Sequence, residues 1–192
     1  MSLRSPFRRK HDEKGATLVE FALVFVLLLT LALGAFEYGM ALRDWISVTI
    51  ATREGARVSA SAANYEAADC AILEATSGAL QSFRSGEISR VHIYKSDGNG
   101  SYPDGDSTLS AVYRPAATGD TPVPECPFWT VHDPASNWEP ADRVPATGGD
   151  PDWIGVRLEY THEWRTNFLW WSGTASWTDD SVFKIEPPPP NA

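Results

Sequence analysis

From Phe21 to Phe36 the chain reads FALVFVLLLTLALGAF, sixteen residues without a charge. As a helix this run is about 24 Å long, short of the ~30 Å hydrocarbon core of a bilayer. To span, it must draw in Ala16 to Val19 and with them Glu20, a carboxylate that costs about 2–3 kcal/mol in lipid unless it is paired or at the interface. Past Phe36 the pattern changes. Glu37, Tyr38, Arg43 and Trp45 suit an exit through the interface. Then Ile46, Ile50, Ala51, Ala56, Val58 and Ala60 recur at three- and four-residue spacing, with Arg53, Glu54 and Arg57 between them. This spacing predicts one long helix, membrane-crossing over 16–40 and amphipathic over 41–62.

A second helix is expected from Asn64 to Phe83, with Ile72, Ala75, Ala79, Leu80 and Phe83 on one stripe and Gly86 ending it. Val91–Tyr94 reads as a short strand and Leu109–Tyr113 as another. The stretch from Arg114 to Pro151, rich in Pro, Gly, Asp and Thr, reads largely as loop. Trp153–Trp164 alternates Ile154, Val156, Leu158 and Tyr160 with Gly155, Arg157, Glu159 and Thr161, a half-buried strand. Ala175–Ile185 is its expected partner, and residues 187–192 form a proline-rich tail. The fold class is therefore α+β: a long N-terminal helix, then a second helix packed on a small antiparallel sheet within a domain of residues 63–186.

Charge adds an orientation. The net charge is −9, yet residues 1–15 hold five basic and two acidic residues, so the remainder is more acidic than the whole. A basic flank before an apolar run stays in the cytoplasm, which puts the acidic domain outside. An acidic surface offers no electrostatic attraction for nucleic acid. The two cysteines, Cys70 and Cys126, then lie in an oxidising compartment; a bridge between them and a pair of buried thiols are both open. Two cysteines alone make no zinc site.

Lys14-Gly15-Ala16-Thr17-Leu18-Val19-Glu20-Phe21 resembles the signal of type IV pilins and pseudopilins. The resemblance implies cleavage between Gly15 and Ala16 by a prepilin peptidase, with the apolar helix retained and Glu20 as the fifth mature residue. The new ammonium at Ala16 needs a carboxylate partner, and Glu20 of a neighbouring subunit would set axial register. Glu37-Tyr38-Gly39 and Thr52-Arg53-Glu54-Gly55-Ala56-Arg57 resemble the Glu-x-Gly and A-A-R-E-G-A-R segments of TadE-like proteins. Thr52 stands where alanine is common, and the frequent proline in the apolar run is missing. The resemblance implies a pseudopilin-like layout and a structural role in a tight-adherence (Flp-type) pilus. Its implied partners are the peptidase, an inner-membrane assembly platform, other minor pilins, the major pilin and the membrane. The implied location is the cytoplasmic membrane, with a single pass, and an extracellular filament after incorporation.

Three alternatives stay open: a plain single-pass anchor carrying a binding module, a secretory signal peptide cut after Gly34, and a secreted enzyme. For the last there is no G-x-S-x-G, Walker or G-x-G-x-x-G motif, and His11, His92, His132 and His162 show no H-E-x-x-H spacing. No cofactor is expected, with one reservation. Asp97, Asn99, Asp104 and Asp106 space their oxygens like the start of a calcium loop, although the same residues suit a turn. Asn99-Gly100-Ser101 is a glycosylation sequon by pattern. Trp164, Arg165, Phe168, Trp170 and Trp171 form either an aromatic contact patch or a hairpin capping the core.

Overall fold

A computed structural model describes residues 13–62, 64–80, 87–124, 126–146, 149–166 and 172–186. The first element, α1 (Glu13–Ala62), is a single uninterrupted helix, about 75 Å long. It is followed by α2 (Ala68–Ala79) and by strands β1 (Ile88–Ser96), β2 (Ser110–Pro115), β3 (Trp129–Val131), β4 (Trp153–Glu163) and β5 (Thr174–Lys184). The strands form one sheet in the order β3-β2-β1-β4-β5, every neighbouring pair antiparallel. The fold is α+β, a layer of two helices over one face of a five-stranded sheet.

The differences from the sequence pattern have local causes. The second helix starts at Ala68, four residues later than expected, because Asn64–Ala67 reverses the chain: Tyr65 N–H donates to Ala62 O and Ala68 N–H to Tyr65 O. Its C-terminal end is capped at Leu80, and Phe83 and Gly86 lie outside the described residues. β1 is longer than Val91–Tyr94 since its ends pair with the eleven-residue β4. β3 lies inside the expected loop. It has three residues, too few to show a period, and exists by pairing with Tyr113 to Pro115.

Ile154, Val156, Leu158 and Tyr160 all face the core, with no exposed surface. Against them α1 sets Val48, Ala51 and Ala56, and α2 sets Ile72 and Leu73. Small side chains on α1 let the layers approach. At Gly55 an added Cβ would lie 2.2 Å from Thr76 Oγ1 on α2 and 3.3 Å from Val156 on β4. At Gly155 it would lie 2.2 Å from the Tyr94 ring, which covers that glycine on the opposite face of the sheet.

The long segment between β2 and β4 is held at two points on α2. Cys126 forms a disulfide with Cys70. The Arg143 guanidinium donates to the Asp69 carboxylate, which also accepts from Tyr113 Oη at 2.6 Å. Arg143 in turn lies 4.8 Å over the Trp138 ring. Burial, with Asp69 beside it, pushes the Tyr113 hydroxyl well above its ordinary pKa. After β5 the backbone returns to α1, where Glu186 N–H donates to Ala60 O.

Candidate functional site

α1 carries the processing-type junction, the apolar run and the charged motif on one rigid rod. Gly15, Ala16 and Glu20 are exposed in its first turns. Ala16 and Glu20 are four residues apart and therefore neighbours on one helix face. The helix is long and apolar enough to cross a membrane, and none of its most apolar window is buried against the domain. That uncovered surface calls for lipid or other helices as its solvent.

Burial begins abruptly at Glu37, which has no exposed surface. Its carboxylate accepts the backbone N–H of Arg165 at 3.1 Å and also that of Thr166. These amides lie at the end of β4, and the negative carboxylate satisfies two donors that leave the ladder there. Two turns further on, Asp44 Oδ2 lies 2.7 Å from His162 Nδ1. The His162 ring stacks on Trp177 of β5 at 5.3 Å and meets Trp164 edge-on at 4.8 Å. Arg165 reaches Glu87 at 3.0 Å, and Thr52 Oγ1 donates to Asp179 at 2.8 Å. A row of polar ties, Glu37, Asp44 and Thr52, thus fastens α1 to β4 and β5. Expected result: Glu37→Gln leaves one of the two amides without its acceptor and speeds hydrogen exchange at Arg165 and Thr166, with a stability loss of about 1–3 kcal/mol. Exchange mass spectrometry of the hairpin peptide reads it.

The charged motif divides by function. Arg57 forms a solvent-screened surface pair with Glu54 at 2.6 Å, an i,i+3 contact along the helix that adds little to stability. Arg53 is exposed. Gly55 is the crossing point of α1 with α2 and β4, so this position is set by packing. Gly39 is exposed with open space around it, and nothing in the fold explains it.

Residues 15–57 match the family model described as TadE-like protein. This chain carries a TadE-like segment. It runs from the Gly15-Ala16 junction through Arg57, within α1. No curated protein and no solved structure matches the chain. Two residues of the TadE-like segment, Glu37 and Gly55, therefore have defined work inside the monomer: one ties the helix to the sheet, the other admits α2.

Beyond the TadE-like segment, the Asp97 loop is built as turns. Asp97 Oδ1 accepts the N–H groups of Asn99 and Ser101 at 2.9 and 3.2 Å, which hold its carboxyl below the ordinary pKa. Asp106 Oδ1 accepts Thr108 N–H at 3.0 Å and its hydroxyl at 2.6 Å. Gly98 and Gly105, at φ 83° and 85°, supply the left-handed positions such turns use. Asp97 and Asp106 thus cap backbone. Among the described residues, the three-residue group whose ligand atoms all lie within 4.8 Å of one another is Cys70, Glu74 and Cys126, and both cysteines are engaged in the disulfide. Of the aromatic patch, Trp164 and Arg165 lie in the row of ties above, while Phe168, Trp170 and Trp171 lie outside the described residues.

Tyr102, from the same loop, covers the sheet's outer face. Its ring lies 3.9 Å from the Arg157 guanidinium carbon, and its hydroxyl lies 2.8 Å from His92 Nδ1. His92 Nε2 lies 3.0 Å from Glu159. Burial holds His92 below its ordinary pKa; Glu159 opposes this shift, and Arg157 and Arg90 reinforce it. The unfolded chain therefore takes up this proton first as pH falls, so the stability His92 contributes is present above about pH 6.5 and lost on acidification below it. The thermal midpoint of the detergent-solubilised protein is expected to fall between about pH 7 and pH 5, and His92→Gln is expected to flatten that slope. An unchanged slope in the variant would remove His92 from the account.

Proposed function

We propose that the chain is a minor pilin or pseudopilin of a tight-adherence pilus, structural and not catalytic. It is inserted with residues 1–15 in the cytoplasm and the sheet domain outside, and a prepilin peptidase cuts after Gly15. The retained helix then packs among other minor pilins and the major pilin at an inner-membrane platform. One observation carries this reading: a single unbroken helix joins a pilin-type junction, an uncovered apolar run and a TadE-like motif built into the domain's own core. A rod so fastened moves with its domain as one unit, as a filament subunit must. Glu20 lies on the same face as Ala16, one turn on, so a freed Ala16 ammonium can be neutralised within the apolar layer by its own or a neighbour's Glu20. A buried polar pair of this kind fixes register.

Glu20→Ala is expected to leave cleavage after Gly15 intact while reducing surface pili, counted by electron microscopy of cells. Normal piliation with the variant as sole copy would sink the register role. The runner-up, a plain anchor carrying a binding module, predicts that both cleavage and piliation are indifferent to Gly15 and Glu20.

A further inference from the structure

A groove of about 820 Å3 lies between α1 and the sheet, within the range of about 300–1,000 Å3 typical of ligand sites. Its helix wall is Tyr38, Leu42 and Trp45; across from them lie Tyr160, Trp177 and Arg90. Tyr38, Leu42 and Trp45 are 71%, 40% and 49% exposed, unusual for three large apolar side chains in the part of α1 that the domain already clasps. On the adjoining stripe of the helix Glu37, Asp44 and Val48 are buried, and Ala41, buried as well, lines the floor between the two.

Position indicates the occupant. Tyr38 follows Phe36, the last residue of the uncharged run, by two residues, a rise of about 3 Å. The mouth of the groove therefore sits at the edge of the hydrocarbon core, and its helix wall continues the uncovered apolar surface of the span without a break. Tyr and Trp are the residue types that favour this depth, having an apolar body and a polar tip. Arg90 adds a cation. Its Nε pairs at 3.4 Å with Glu159, which lines the groove beside it, and the Arg90 side chain is 44% exposed, so its uncovered part can face an anionic group. An apolar wall that opens on the bilayer, with a cation beyond it, is complementary to one amphiphile with an acidic headgroup.

We propose that this groove holds a phospholipid drawn from the adjoining leaflet, an acyl chain against Tyr38, Leu42, Trp45 and Trp177 and the phosphate toward Arg90. This requires only that the apolar run spans the membrane and does not depend on filament assembly.

The test uses the full chain in bilayer nanodiscs containing phosphatidylglycerol with a photoactivatable diazirine on one acyl chain, and maps the adducts by peptide mass spectrometry. Adducts are expected on the 38–45 segment and on β5 around Trp177, besides those on residues 18–36, which any spanning helix acquires. Leu42→Asp is expected to lower the β5 adducts about fivefold or more, the effect of a modest affinity loss, with the adducts on 18–36 unchanged. Ser176→Trp, at an exposed position that fills the groove from β5, should do the same and serves if Leu42→Asp fails to fold. Labelling confined to residues 18–36, β5 labelling indifferent to both variants, or a cross-link from the groove to a second copy in place of lipid would each overturn the proposal.

Discussion

Replacing Cys70 and Cys126 together by alanine is expected to lower the stability of the sheet domain by about 4 kcal/mol, the largest single loss foreseen for this chain. The bridge joins residues 56 positions apart, and closing a loop of that size removes roughly this much conformational freedom from the unfolded chain in the entropy model. Against a total of about 5–15 kcal/mol for an ordinary domain, that is about a quarter or more. The structure adds a reason specific to this fold. Among its described residues, the segment between β2 and β4 holds only a three-residue strand and a short 3-10 turn at Pro140–Asp142 as named elements. It is therefore secured by the disulfide and by the Arg143–Asp69–Tyr113 cluster and hardly at all by ladder pairing. Urea unfolding of the detergent-solubilised protein, followed by tryptophan fluorescence with and without reductant, reads the effect. Wild type under reductant should match the double variant in oxidant. If reductant leaves the wild-type midpoint unchanged, the bridge does not carry this share.

The second large effect is at Gly55. Gly55→Ala is expected to cost about 1–3 kcal/mol, the range for overpacking a close-fitted core, even though alanine is the better helix former by about 1 kcal/mol. The reason is the 2.2 Å approach of the added Cβ to Thr76 Oγ1. That hydroxyl is buried and donates to Ile72 O at 2.7 Å, so it cannot swing aside without loss. Thr76→Ala removes the obstructing atom. The double variant Gly55→Ala/Thr76→Ala should be more stable than Gly55→Ala alone, a coupling of about 0.5–3 kcal/mol that direct contact permits. Additive single effects in the thermal midpoint would mean that Gly55 is not the crossing point.

These two sites also mark how far sequence reasoning reaches. The elements were legible wherever a period persisted. The apolar run and its amphipathic continuation gave α1 almost to the residue, and the alternation of Ile154 to Tyr160 gave β4 with its inward face. Sheet order was not legible, since nothing local says that β1 sits between β2 and β4. β3 was hidden because three residues have no period. The pattern in the TadE-like segment directed attention to Glu37 and Gly55 but was silent on their work, which depends on partners 128 residues away at Arg165 and on α2 at Thr76. The pairing of Asp44 with His162 was not legible for the same reason: they meet across 118 residues. The available signal was a helix face carrying Glu37 and Asp44 at a spacing of seven, in line with Ala41 and Val48, which marks acidic residues on the side turned toward a core.

The structure joins the halves of this chain in a way composition alone does not. The apolar run is the free end of the domain's own core helix, since burial starts at Glu37, directly after the last uncharged residue. A segment built for attachment only would need no such rigid coupling. The coupling suits a subunit whose domain position is set by how its helix packs.

The measurement that tests this most directly is the intact mass of the protein purified from membranes of cells that possess a prepilin peptidase. The account predicts a chain that begins at Ala16 and keeps the whole apolar helix, and a full-length chain from cells lacking that peptidase. A chain that begins at Met1 in both, or one that begins at Ala35, would contradict it.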